Sequence, residues 1–223
     1  MVESKRATAR DMAQRHLQRD DPLGWFEKLY ARAGGDPSII PWADLTPNPN
    51  LISWLEAYPM RGEGKRALKV GCGLGDDAEE LAGMGFQTSA FDISATAIAW
   101  CKRRFPDTRV HYRVQDLFRP PTDWTGHFDF VLESYTLQVL PPGLRQEAIK
   151  NIAGFVKPDG ILLVISRGRE ASEPEGKMPW PLTSQELDVF KTHGLEERLF
   201  EDYVDDEDPP VRRFSAVYER RQY

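Results

Sequence analysis

Val70-Gly71-Cys72-Gly73-Leu74-Gly75-Asp76-Asp77 decides how the rest of the chain is read. The three glycines follow a short apolar run, Ala67-Leu68-Lys69-Val70, and precede a stretch with helical spacing through Glu80, Leu81 and Met84. Glycine has no Cβ to forbid left-handed backbone, so this segment turns tightly and lets its main chain approach a ligand. The helix behind it presents unpaired N–H groups to whatever sits there. Glycine triplets are common in α/β turns; the position between strand and helix gives this one its weight.

Outward from the turn, strands and helices alternate. Residues 86–91, 109–114, 128–132 and 161–166 have strand character, and 94–104 and 143–156 have helical spacing. In the third strand Val110, Tyr112 and Val114 are expected on one face. This alternation implies a parallel sheet with right-handed crossovers. Farther on, 183–192 reads as a helix whose Thr183 and Glu186 have capping-box spacing. Strands at 195–203 and 211–218 then form an antiparallel edge hairpin, with 205–208 as a solvated acidic turn. Upstream, 4–19 is a polar helix, and Asp21-Pro22 opens another carrying Trp25, Phe26, Leu29 and Tyr30. Gly34-Gly35-Asp36-Pro37 breaks it, a proline-rich connector with Pro41-Trp42 follows, and a helix is expected near 50–57. The expected organisation is a helical lid over 1–60 and one doubly wound α/β domain over 61–223.

Composition narrows the function. With 223 residues the chain suits one large domain, and 40% hydrophobic with 29% charged residues suits a packed core. Lys and Arg total 29 against 35 Asp and Glu, a net charge of -6, whereas nucleic-acid binders carry a basic footprint. The run Lys102-Arg103-Arg104 ends a helix, where cations suit the dipole. Cys72 and Cys101 offer neither a disulfide framework nor metal spacing. No apolar run suits a signal peptide or a membrane span. The expectations are a cytoplasmic protein, monomeric or weakly homo-oligomeric, with no metal, nucleic-acid or membrane partner.

Spacing discriminates between cofactors. A dinucleotide site wants G-x-G-x-x-G, whose third glycine would fall where Asp76 stands. G-x-G-x-G followed by acids suits a methyltransferase, where no pyrophosphate must be neutralised, and leaves an NAD-binding oxidoreductase as a remote alternative. Asp92 closes the second strand, where a carboxylate accepts from both ribose hydroxyls; its competing reading is an N-cap for the next helix. Ile93 is expected against the adenine face. Asp116, after the third strand, reads the adenine edge or simply starts a loop. Leu117 and Glu133, after the third and fourth strands, complete the expected cofactor contacts, together with Gly71, Cys72 and Gly73.

These residues resemble the thiopurine and thiol S-methyltransferase group of the class I S-adenosylmethionine-dependent methyltransferases. That group has a G-C-G-x-G-x-D turn without the usual acid two places before the first glycine, and here Lys69 stands there. The similarity continues through Asp92-Ile93-Ser94-Ala95-Thr96-Ala97-Ile98, Phe128-Asp129-Phe130, Pro141-Pro142 with Arg145, Pro158-Asp159-Gly160, and Met178-Pro179-Trp180-Pro181-Leu182. Upstream, Trp25, Tyr30 and Pro41-Trp42 match a tryptophan-bearing lid. The resemblance implies a seven-stranded sheet, S-adenosylmethionine as cofactor and a small-molecule acceptor. It departs at Ser134-Tyr135-Thr136, where the group has Tyr-Thr-Phe, and at Met178, where it has proline.

Trp25 and Trp42 are candidates to close over the sulfonium, since aromatic faces attract cations; either is equally a core tryptophan. Tyr135, after the fourth strand, and Trp180, in the loop 168–182 that reads as a mobile cover, are candidate acceptor contacts, with packing as the competing reading. Arg145 joins them through the resemblance, against the alternative of an ordinary surface arginine. None of the four histidines offers a clear general base. A thiol, already part thiolate near neutral pH, is the acceptor that needs one least. An oxygen or nitrogen acceptor and a non-catalytic S-adenosylmethionine sensor remain the alternatives.

Overall fold

The computed structural model describes residues 2–221. Its helices are α1 (Val2–Leu17), α2 (Gly24–Ala33), α3 (Pro49–Ala57), α4 (Asp76–Gly83), α5 (Ala95–Arg104), α6 (Pro142–Phe155) and α7 (Ser184–Thr192). Its strands are β1 (Arg66–Val70), β2 (Gln87–Asp92), β3 (His111–Val114), β4 (Phe128–Ser134), β5 (Val156–Arg167), β6 (Leu195–Val204) and β7 (Arg212–Arg220). The seven strands follow the order β3-β2-β1-β4-β5-β7-β6, which is the expected doubly wound α/β sheet. Among the described residues no helix is long and apolar enough to cross a membrane.

The chain divides into two compact units. The first comprises Met1–Glu63 with Gly71–Asp116. Here β2 pairs parallel with β3, Asp92 opposite Val114. Cys72, Ala78, Ala82, Ala90, Ile98, Cys101, Val110 and Tyr112 form a core of mostly small side chains, which lets α4 and α5 lie close on β2. The expectation for the third strand holds only in part. Val110 and Tyr112 are buried, whereas Val114 is 52% exposed. Alternation fixes the side to which a residue points, not whether another element covers it.

The second unit comprises Gly64–Val70 with Leu117–Tyr223. Strands β1, β4 and β5 pair in parallel, with Val70 opposite Glu133 and Ser134 opposite Ile165. Their interior residues Leu68, Val131, Leu132, Leu162, Leu163 and Val164 are apolar without alternation, as strands covered on both faces require. Of the expected hairpin, only β7 runs against β5, and β6 returns antiparallel to β7. The capping box forms at α7: Thr183 Oγ1 accepts from the Glu186 amide and Glu186 accepts from the Thr183 amide. The acidic turn is not merely solvated, which corrects the sequence reading. Asp205 and Glu207 both accept from Arg213, a β7 residue only 1% exposed, because a buried guanidinium must be paired.

Gly75 shows how strictly the first unit is built. Its φ is +98°, and an added Cβ would lie 2.5 Å from Tyr112 Oη and 3.2 Å from Cys101 Sγ. Gly75→Ala should destabilise the fold by about 3 kcal/mol, combining left-handed strain with overpacking. A second change, Tyr112→Phe, should recover only part of this, because the backbone strain stays. Urea unfolding of both variants checks this, and a Gly75→Ala protein as stable as the parent contradicts it.

Candidate functional site

In the first unit several polar groups of the glycine turn are tied to neighbouring elements. Gly71, Gly73 and Gly75 all have positive φ. The Cys72 amide donates to Phe91 O at 2.8 Å, and the Gly73 amide donates to Asp92 Oδ2 at 3.0 Å. The other Asp92 oxygen accepts from the Ser94 amide at 2.9 Å. Cys101 Sγ donates to Gly73 O, and Arg104 reaches Leu74 O at 2.6 Å while clamping Asp76 through two bonds of 2.8 and 2.7 Å. Asp76, the residue that argued against a dinucleotide site, thus works as the anchor of a bidentate ion pair. The capping question is also resolved: Ser94, not Asp92, is the N-cap of α5, its Oγ accepting from the Ala97 amide.

Helix α2 is bound to the start of α5 through one carboxylate. Glu27 accepts from Ser94 Oγ at 2.6 Å, from the Thr96 amide at 3.1 Å and from Thr96 Oγ1 at 2.5 Å. Burial pushes the Glu27 carboxyl up, but the bonds from Ser94 and Thr96 outweigh it and hold the group below its ordinary value. No local pattern in the sequence flags Glu27, because its partners lie 67 and 69 residues away. The two tryptophan candidates part company. Trp25 is 1% exposed and stacks on Phe26, a core tryptophan. Trp42 is half-buried and donates from Nε1 to Tyr30 Oη at 2.8 Å. A Cβ on Gly73 would meet Tyr30 Oη at 3.3 Å and the Trp42 indole at 3.8 Å, so both aromatics stand directly over the turn. Burial, and then the Asp92 charge, keep the Tyr30 phenol well above its ordinary range and therefore neutral.

This arrangement fits an adenosyl sulfonium. Asp92, oriented by the Gly73 and Ser94 amides, presents an acceptor-only carboxylate at the end of β2 beside the turn, the chemistry that suits a pair of vicinal hydroxyls. Gly73 keeps the backbone clear of side chain, and Phe26 and Trp42 offer half-buried aromatic surface to a cation. Ile93 is half-buried between Asp92 and Ser94. Asp116 is half-buried just past β3, where the Gln115 amide donates to Asp92 O at 3.0 Å.

The remaining expected residues belong to the second unit. Leu117 is buried, and its carbonyl accepts from Asn151 Nδ2. Glu133 is fully buried at the end of β4, with Oε1 accepting from the amides of Thr136 at 2.7 Å and Leu137 at 2.9 Å. Its Oε2 is buried without a hydrogen-bond partner. Lys69, 3% exposed, donates to Val70 O at 2.9 Å and Ser134 O at 3.4 Å. Between these anchors Tyr135 has φ +64°, rare for a bulky residue. Its half-buried ring lies 4.9 Å from the Arg213 guanidinium. Arg145 is no surface arginine: it is 3% exposed, donates to Leu140 O at 3.2 Å, pairs with Glu186 of the capping box, and stands 5.7 Å from the Trp180 ring. The loop carrying Trp180 is tethered, its Trp180 amide donating to Gln138 O at 2.7 Å.

Burial pushes the Glu133 carboxyl up to about 7, against the opposing pull of the Leu137 amide, the Lys69 charge and the Thr136 amide. Its folded pKa exceeds the unfolded value, so the folded chain holds the extra proton between about pH 4.5 and 7. Stability therefore falls as pH rises through that window, by no more than about 3 kcal/mol. Glu133→Gln should flatten this dependence, which urea unfolding at pH 5 and pH 8 measures.

Comparison with known proteins agrees with this geometry. Residues 67–160 match the family model described as a methyltransferase domain. A ubiquinone biosynthesis O-methyltransferase of Bordetella avium is 25% identical over 115 residues, covering 51% of this chain and 47% of the relative. A tRNA N(3)-cytidine methyltransferase METTL2 of Danio rerio is 26% identical over 184 residues, covering 69% of this chain and 50% of the relative. The chain thus spans about half the length of these curated relatives. A TehB-like SAM-dependent methyltransferase from Corynebacterium glutamicum superposes with a TM-score of 0.62 at 20% identity, covering 88% of this chain and 98% of that one, a likeness of fold. Over residues 67–160 the chain is therefore similar to methyltransferase domains, and its sheet shares the fold of solved methyltransferases.

Proposed function

We propose that the chain transfers a methyl group from S-adenosylmethionine to a small-molecule acceptor, with sulfur as the accepting atom. The observation that carries the reading is the left-handed glycine turn whose Gly73 amide orients the Asp92 carboxylate. In this reading Gly71, Cys72, Gly73, Asp92, Ile93 and Asp116 hold the adenosyl part, and Trp42 with Phe26 faces the sulfonium. Trp25 backs them from the core. Tyr135 and Trp180 contact the acceptor, and Arg145 fixes Trp180 through its position beside that ring.

S-Adenosylmethionine supplies a methyl group already activated on a sulfonium, so the protein's task is alignment and exclusion of water. The placement of the histidines supports an acceptor that brings its own anion. His16 bonds Asp21 at the end of α1, His111 opens β3, His127 precedes β4, and His193 follows α7. His111, His127 and His193 lie away from the carboxyl ends of the parallel strands, where ligands of such sheets bind, which leaves His16 as the one weak candidate for a base. A thiol supplies thiolate near neutral pH, whereas an alcohol needs a positioned base. Oxygen is the second reading, favoured by the name of the Bordetella relative. The net charge of -6 favours a small acceptor over the tRNA named for the Danio relative.

Thiophenol, phenol and aniline, each with S-adenosylmethionine and a readout of S-adenosylhomocysteine, separate the readings. Thiophenol should turn over fastest, with a rate that tracks its thiolate fraction across pH. Turnover of phenol or aniline with thiophenol inert rejects sulfur. For the cofactor side, Asp92→Ala should weaken S-adenosylhomocysteine binding by about 2–3 kcal/mol, roughly 30- to 150-fold, through loss of charge-assisted hydrogen bonds. Calorimetry gives the value, and unchanged affinity in a folded variant removes Asp92 from the site.

A further inference from the structure

Lys69 is the residue by which this chain departs from the usual acid before the glycine turn, and Glu133 carries a buried carboxylate at the end of the neighbouring strand. In register they sit one step apart, Val70 lying opposite Glu133. Neither side chain reaches solvent, and both spend their bonds on the same short segment, residues 133–137. Lys69 donates to Ser134 O, and Glu133 Oε1 accepts from the amides of Thr136 and Leu137. Thr136 Oγ1 donates to Val70 O at 3.3 Å, and the Tyr135 amide donates to Ile165 O at 3.0 Å. Four of these bonds bear directly on Tyr135 or its neighbours Ser134 and Thr136, and the fifth holds Leu137 just beyond. Tyr135 is the one residue between them with left-handed backbone, φ +64°. Such a conformation persists in a bulky residue only where the surroundings over-determine it.

The ring is held as well as the backbone. The Arg213 guanidinium lies 4.9 Å from its centroid and is locked by Asp205 Oδ2 and Glu207 Oε1, each at 2.5 Å. Tyr203 stands opposite Arg213 in the β6–β7 pairing, and burial, then Tyr135, push its phenol up to about 12. The acidic turn is thereby joined through Arg213 to the end of β4.

We propose that Lys69, Glu133 and Arg213 are positioning residues for the methyl acceptor: they hold Tyr135 left-handed at the carboxyl end of β4 and aim its ring at the acceptor. This rests on the assignment of Tyr135 to the acceptor side. Glu133 acts in it through the geometry of Oε1, which an amide oxygen reproduces, and not by taking a proton or binding the cofactor. Lys69 is a second anchor of the same frame, matched to the carboxylate across the strand pair.

The test uses the full chain and four variants, Glu133→Gln, Glu133→Ala, Tyr135→Gly and Arg213→Gln. Glycine adopts left-handed backbone without strain, which offsets the lost ring packing, so Tyr135→Gly should still fold. With thiophenol as acceptor, Tyr135→Gly, Glu133→Ala and Arg213→Gln should each raise KM about tenfold or more. Their affinity for S-adenosylhomocysteine should stay within about twofold of the parent. Glu133→Gln should keep both values near those of the parent. A Glu133→Gln protein that loses kcat at unchanged KM overturns the proposal in favour of a proton-transfer role. So does a Glu133→Ala protein that loses S-adenosylhomocysteine binding with acceptor KM intact, which makes Glu133 a cofactor ligand. If thiophenol, phenol and aniline are all inert, crystal structures of the Glu133 variants with S-adenosylhomocysteine decide. Tyr135 should leave the left-handed region in Glu133→Ala and keep it in Glu133→Gln; an unmoved Tyr135 in Glu133→Ala overturns the proposal. Failure of the methyltransferase reading shows separately, as a parent protein that does not bind S-adenosylhomocysteine.

Discussion

The bond from the Gly73 amide to the Asp92 carboxylate is the contact on which the rest of the first unit depends. A chain that turns left-handed three times between Gly71 and Gly75 leaves its strand ladder, and each polar group it exposes must find a partner. Asp92 takes the Gly73 amide, Cys101 and Arg104 take the Gly73 and Leu74 carbonyls, and Tyr112 donates to Gly75 O. These partners come from β2, α5 and β3, so the turn acts as the knot that sets those elements against one another. Asp92 in turn orients Ser94, which caps α5 and donates to Glu27 of α2. Asp92 thereby links the turn to the α5 cap, and through Glu27 to α2.

The second unit answers the same physical problem with ions in place of glycines. Tyr135 carries a side chain where the backbone is left-handed, and the conformation persists because Lys69, Glu133 and Ile165 hold the atoms on either side of it. Burying Lys69 and Glu133 is expensive for each alone, and the raised Glu133 pKa reflects that expense. Such cost is common where geometry matters more than stability. Arg213 follows the same pattern, a buried cation neutralised by two carboxylates of the β6–β7 turn.

The match to the methyltransferase family covers 67–160, the segment from β1 through β4 and α6 into β5. Trp42, Tyr30 and Glu27 precede it; Trp180, Arg213 and Tyr203 follow it. The relative named for oxygen covers 51% of this chain and the one named for tRNA cytidine nitrogen 69%. Under the proposed function, a shared cofactor would constrain the turn and its carboxylate, while acceptor recognition is free to differ in the flanking elements.

The sequence by itself determined the α/β class, the order of strands and helices, the cap at Thr183 and the place of the glycine turn. These are encoded locally, in alternation, in glycine where positive φ is required, and in capping residues at fixed offsets. That an aspartate closes the second strand at a fixed distance from the turn was legible for the same reason, while its bond to the Gly73 amide was not. What Trp25, Arg145, Lys69, Glu133 and Arg213 do was decided only by tertiary structure. A tryptophan in a helix carries no mark of whether its ring enters the core, and Trp25 does while Trp42 stands half-exposed over Gly73. Arg145 reads as a surface residue until Glu186, 41 positions away, is brought against it. The acidic turn looked solvated because its partner Arg213 is set by the pairing of β6 with β7. Charge pairing and burial depend on neighbours remote in sequence, and only the folded chain brings those neighbours together.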